Sequence, residues 1–197
     1  MEQRLKSVRI DVTKLNTEAR ANKALRAGAE MLKVYRSDKF KELILLMPPE
    51  YKLGETSKFK YYTNYEIYTL LMSGQEEWNN ELDYEIDLLV DDYYSMGRVV
   101  GYMNPGKPQV FVNTKFFDSF VTKKVGSNFA HEHFHTLGGR HGGSNFKKSI
   151  AYYINYAYEA AYDHVISGES IPVIVNTYCK RVWWKLWLGK RCYKVLS

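Results

Sequence analysis

The apolar positions of this chain change period several times along its 197 residues, and each change marks an element. Val8, Ile10 and Val12 alternate with polar residues over 7–13, the period of a half-buried strand. Ala21, Leu25, Ala29, Leu32 and Tyr35 then recur at helical spacing, which predicts a helix over about 17–35 capped by Asn16 or Thr17. A shorter helix with Phe40, Leu43, Ile44 and Met47 opens at Ser37 or Asp38 and is stopped by Pro48-Pro49. Residues 50–63 are polar around Gly54 and read as a loop, and Asn64 then precedes a short helix over 65–72 ended by Gly74. The stretch 84–90 reads as a strand. So do 98–103 and 109–113, joined by Asn104-Pro105-Gly106-Lys107-Pro108 into an antiparallel hairpin. Phe116, Phe117 and Phe120 follow as core anchors, and a helix is expected from about Ser127 or Asn128 to Leu137. After a loop at 142–145, Ile150, Ile154, Ala157, Tyr158, Ala161, Tyr162 and Val165 predict a last helix over 149–167, with Gly168 beyond it. Strands and helices in this order predict an α+β fold in a single domain spanning 1–197.

Composition adds little to that frame, whereas the distribution of charge adds more. Apolar residues make up 45% and charged residues 25%, an ordinary globular balance, although 17 Tyr raise the aromatic share. No run of 18 apolar residues predicts a transmembrane helix, and residues 1–10 lack the apolar core of a signal peptide. The net charge of +6 is carried by the end of the chain, where Lys180, Arg181, Lys185, Lys190, Arg191 and Lys194 follow the last acid, Glu169. The body is thus close to neutral, which argues against a nucleic-acid partner. Within 180–194, Trp183, Trp184 and Trp187 lie among these cations. That segment either packs back on the domain or makes a peripheral contact with a membrane surface, an anionic glycan or a protein. Cys179 and Cys192 are too few for a disulfide framework; they form one bond or stay free.

The chemistry is concentrated in His131-Glu132-His133-Phe134-His135-Thr136-Leu137-Gly138-Gly139-Arg140-His141. His131 and His135 are one helical turn apart and share a face, so both rings can reach one ion. Gly138 can take the positive φ that ends a helix and turns the chain back, letting His141 supply a third ligand. Three protein ligands with an open fourth position are the catalytic arrangement of zinc. Glu132 follows the first ligand, where a carboxylate can work as a base. His133 points away from the metal face and Phe134 and Leu137 belong to the core, while Arg140 fits either the surface or the cleft. His164, late in the last helix, suits the helix dipole better than a metal.

The pattern H-E-x-x-H-x-x-G-x-x-H resembles that of the metzincin zinc metalloproteases. The resemblance implies a small twisted mixed β-sheet with a backing helix and an active-site helix, in an N-terminal part over 1–142. It implies a C-terminal helical subdomain over 143–197. It implies Zn²⁺ on His131, His135 and His141, which would lower the pKa of bound water towards ~7, with Glu132 as general base. An extended peptide or protein substrate would add to the strand before the zinc helix, along Val99, Val100, Gly101 and Tyr102; an ordinary sheet hairpin is the alternative. Ser149-Ile150-Ala151-Tyr152-Tyr153 resembles the family's methionine turn, with Ala151 in the methionine position and Tyr153 in that of a zinc-site tyrosine. No methionine follows Met103, a departure from the family pattern, and no cysteine precedes the motif to block the zinc. The expected function is a zinc-dependent endopeptidase, secreted or associated with a surface or virion. The alternatives are a non-catalytic structural or binding protein that keeps the zinc fold and a peptidase of cell-wall peptides.

Overall fold

The computed structural model describes residues 5–78, 80–104 and 107–166, together with the backbone of 175–182 and 189–196. It is an α+β fold built on a mixed sheet. The strands are β1 (Ser7–Lys14), β2 (Glu85–Tyr93), β3 (Gly101–Met103), β4 (Gln109–Asn113), β5 (Val175–Val182) and β6 (Gly189–Leu196), in the order β3-β4-β2-β1-β6-β5. β1 pairs with β2, and β2 with β4, in parallel, while β3 runs antiparallel to β4 at one edge. β6 and β5 continue the sheet in antiparallel pairing beyond β1, and their register sets the backbone of Cys179 opposite that of Cys192. The tryptophans of 183–188 and the expected segment around Gly168 lie outside the described residues.

Of the alternating positions read in β1, Val8 and Ile10 are fully buried, whereas Val12 is only partly enclosed and Asp11 is buried in its place; burial alternates over 85–90 of β2 and 109–112 of β4. Ile86, Leu88 and Val90 of β2 face inward while Glu85, Asp87 and Leu89 are less enclosed, and Val110 and Val112 do the same on β4. The crossover between β1 and β2 runs through α1 (Glu18–Tyr35), α2 (Asp38–Leu45) and α3 (Asn64–Ser73). Thr17 caps α1 by accepting from the Arg20 N–H, and Ser37 caps α2 through the Phe40 N–H. α3 is opened by Thr63, one residue ahead of the expected Asn64, because Thr63 and Glu66 form a reciprocal capping box. Its end is as predicted: Gly74 lies at φ +63°, a left-handed conformation suited to glycine.

α1 is the backing helix. It packs on β1 and also against α5 (Thr122–Thr136) and α6 (Ile150–Val165). The short α4 (Thr114–Phe117) buries Phe117. α5 begins about five residues before the expected start at Ser127. Its first turn is held by side chains, since Lys123 pairs with Asp163 at 2.6 Å and Lys124 with Glu159 at 2.6 Å, both acids on α6. Gly126 lets the two helices meet, because a Cβ there would stand 2.2 Å from the Tyr158 hydroxyl.

The loop after α3 carries a buried carboxyl. Glu76 is fully enclosed, and its Oε1 accepts from the Asp87 N–H at 3.1 Å while Oε2 has no partner. The next residue ties this loop to the end of α5, with the Glu77 N–H donating to Thr136 O at 2.7 Å. Burial, reinforced by Asp87 and Asp83, pushes the Glu76 carboxyl up to about 8. The folded chain therefore holds a proton that the unfolded chain has lost above its ordinary carboxyl pKa, and stability falls as pH rises towards 8. Glu76→Gln should be more stable than the parent at pH 8 by about 1–3 kcal/mol and close to it at pH 5. Urea unfolding of both proteins at the two pH values measures this, and a difference that does not widen with pH refutes it.

Candidate metal centre

α5 carries the first two histidines one turn apart, and the chain must reverse within a few residues to bring up the third. The reversal is a Schellman turn. The Gly139 N–H donates to Phe134 O at 3.0 Å and the Gly138 N–H to His135 O at 3.0 Å, with Gly138 at φ +94°. Gly139 is equally required, since a Cβ there would lie 2.1 Å from the Phe134 ring. His131, His135 and His141 then converge, with one ligand-capable nitrogen from each inside a span of 4.8 Å. Their ring centroids lie 4.8–5.4 Å apart.

The surroundings suit a cation. Burial lowers all three histidines from their usual range, His135 to about 4, so they are neutral and keep the lone pair a metal needs. The His135 Nδ1 is 2.7 Å from Gly139 O, which leaves Nε2 for an ion, and the Ala151 backbone hydrogen-bonds the His131 ring. Glu132 is buried beside this cluster; its carboxyl is pushed up to about 8 by burial, while the Asn128 amide, donating at 3.3 Å, pulls it down. A dication on the histidines would favour its charged form further.

His141 is placed by a strap the sequence did not disclose. Residues 54–56 lie against the turn that carries it. The Thr56 N–H and hydroxyl both donate to Arg140 O, at 2.7 and 3.0 Å, and the Gly142 N–H donates to Gly54 O at 3.3 Å. Glu55 forms a β-bridge with His141. Its buried Oε1 accepts from the Arg140 and Ser57 N–H groups at 2.8 and 3.0 Å, and Oε2 is enclosed without a partner. Only Gly54 stood out in the sequence of this polar loop. Its contact is steric: a Cβ would meet Asn145 O at 2.1 Å.

The tyrosine beside the histidines is Tyr152, not the expected Tyr153. Tyr152 lies edge-on to His131 at 4.8 Å between centroids and 5.4 Å from His141. Tyr153 turns away, donates its hydroxyl to Leu43 O at 2.8 Å and packs on Tyr51 at 4.7 Å. The physical reason is the local fold. Residues 149–153 are not a separate tight turn: Ser149 is the N-cap of α6 and Ile150 starts it. Adjacent residues on a helix point about 100° apart, so one tyrosine faces the histidines and the other the core. Ala151 is fully buried beneath the site. His133 is enclosed as well, its Nδ1 3.4 Å from the Tyr35 hydroxyl.

The histidines line a cleft of about 1100 Å³, bordered on one side by residues 98–103. Gly101 and Tyr102 belong to β3, whereas Val99 and Val100 precede it with both carbonyls bonded to Asn113. The Asn113 N–H donates to Val100 O at 2.8 Å, so 100/113 is a hydrogen-bonded pair. In the antiparallel alternation Tyr102/Phe111 is then the next hydrogen-bonded pair and Gly101/Val112 and Met103/Val110 are not hydrogen-bonded pairs, so the peptide groups of Gly101 and Met103 point to the open edge. Gly101 allows β3 to approach α5, since a Cβ there would be 2.6 Å from Asn128 Oδ1.

No family model, curated protein or solved structure matches the chain. The geometry yields its own test. Glu55→Ala should weaken the binding of one Zn²⁺ or Co²⁺ by about tenfold, and Glu55→Gln should retain most of the affinity. Titration against a competing chelator measures both; unchanged affinity in Glu55→Ala would show that the strap does not hold His141.

Proposed function

We propose that this chain is a zinc-dependent endopeptidase of metzincin type. The observation that carries the proposal is a buried carboxylate, Glu132, next to three converging histidines on the floor of a cleft whose wall is an open strand edge. Zinc held by His131, His135 and His141 would supply a Lewis acid for the scissile carbonyl and acidify water at the site. The chain's own groups then have distinct tasks. Glu132 takes a proton from the attacking water and returns it to the leaving nitrogen as the C–N bond breaks. The Asn128 amide holds Glu132 in place. The Tyr152 hydroxyl is the side-chain donor available to the oxygen that becomes charged, a role that passes to it from Tyr153. The N–H and C=O groups of Gly101 and Met103 pair with an extended peptide and hold it along the cleft.

Zinc-loaded protein should cleave an unfolded protein such as casein, and removal of the metal by a chelator should abolish cleavage until zinc is returned. Glu132→Gln should keep the metal and lose about 10²–10⁴-fold in kcat. Metal bound with no cleavage of casein or a peptide library would sink the endopeptidase and favour a binding protein. The two tyrosines should separate cleanly. Tyr152→Phe should lower kcat about tenfold or more with metal affinity unchanged. Tyr153→Phe should leave kcat near the parent's and cost about 1 kcal/mol of stability through its lost bond to Leu43. Equal kcat values for the two variants would refute the assignment of Tyr152.

A further inference from the structure

The charges around the cleft are one-sided. Its walls carry Arg98, Lys124, Arg140 and Lys147, against two carboxylates, Glu132 and Glu159. Glu132 is buried on the floor, and Glu159 is already paired, with Lys124 at 2.6 Å and with the Ser127 hydroxyl at 2.8 Å. Three exposed cations are left at the mouth. Arg98 stands on the strand side, three residues before β3. Arg140 and Lys147 stand on the side of the third ligand, flanking His141 and Phe146. Arg140 has only a long contact with Glu77, at 3.8 Å, and among the described residues neither Arg98 nor Lys147 has a carboxylate partner. Between them the strand wall exposes apolar surface at Val99 and Tyr102.

We propose that the cleft selects an extended peptide in which acidic residues flank the scissile bond, with Arg98 and Lys147 as the residues that set this preference. This rests on the endopeptidase reading for its reaction but not for its binding step. An extended chain along β3 sends successive side chains to opposite sides. Carboxylates on such a chain can therefore meet cations on both walls, and apolar residues can cover Val99. A peptide fits better than a polyphosphate, because the open edge presents the carbonyls of Gly101 and Met103 as well as their N–H groups. A phosphate backbone has no donors for those carbonyls, whereas a polypeptide offers donors and acceptors in alternation.

The test is equilibrium binding to zinc-loaded Glu132→Gln, which traps ligand, followed by fluorescence anisotropy. The ligands are three labelled peptides of one extended apolar scaffold carrying Glu, Gln or Lys at the variable positions, and a single-stranded oligonucleotide of similar charge. The Glu peptide should bind about fivefold more tightly than the Gln peptide, and the gap should shrink as salt is raised. In the same trap, adding Arg98→Gln and Lys147→Gln should erase the preference while leaving Gln-peptide binding unchanged. Adding Arg98→Glu and Lys147→Glu instead should move the preference to the Lys peptide, a gain that misfolding cannot produce. Equal binding of the Glu and Gln peptides, no binding of any peptide, tighter binding of the oligonucleotide, or a preference that survives charge reversal would each overturn the proposal. Hydrolysis is scored separately with the parent chain. Selective binding without cleavage leaves the proposal standing and removes the endopeptidase; cleavage of all three peptides at equal kcat/KM does the reverse.

Discussion

The candidate metal centre depends on how α5 stops. A helix can hold two ligands on one face, but its rise carries the next residues away from them, so a third ligand close in sequence needs an abrupt reversal. Two adjacent glycines make that reversal, each for a different reason. Gly138 takes the positive φ of the Schellman turn, and Gly139 leaves room for the Phe134 ring. The same turn gives His135 its orienting partner, since the Gly139 carbonyl that follows the reversal lies at its Nδ1. Helix end, ring orientation and ligand spacing are thus one local construction.

What that construction does not supply is rigidity on the far side of His141. A short loop of exposed polar residues would leave the third ligand mobile, and a mobile ligand orders only at the expense of binding energy. The 54–56 strap removes that freedom with backbone pairing on both sides of His141, and Glu55 adds a buried acceptor for the Arg140 N–H. On the other flank, the burial of Ala151 brings the start of α6 close enough for its backbone to orient the His131 ring. Each candidate ligand is therefore braced by a different part of the chain, and one of those parts, the 54–56 strap, lies far from the motif in sequence.

This separation explains what could be read before the fold was known. Periodicity found β1, α1, α2 and α6, because each turns one apolar face to a shared core, and spacing found the three histidines, because a helix fixes the relation of i to i+4. The first turn of α5 escaped: Thr122 to Gly126 has little apolar signal, and the turn is held by lysines whose acids sit on α6. Tyr152 escaped for a subtler reason. Two adjacent tyrosines at the start of a helix differ only in direction, and direction depends on where the helix begins, which sequence patterns locate to within a few residues at best. Glu55 left no pattern at all, since its role exists only once the loop lies against His141.

The cleft adds a contrast between its floor and its mouth. At the floor, burial drives the histidines neutral and works against a charged Glu132, so a dication is the natural complement of what the chain has enclosed. At the mouth, Arg98, Arg140 and Lys147 stay in water, where their field is screened and each contributes little alone. A dication and an exposed cation repel, but the rim cations sit where solvent weakens that repulsion. The strong electrostatics of this cleft thus lie deep, at the buried histidines and Glu132, and the weak, additive electrostatics lie outside, at cations that solvent screens.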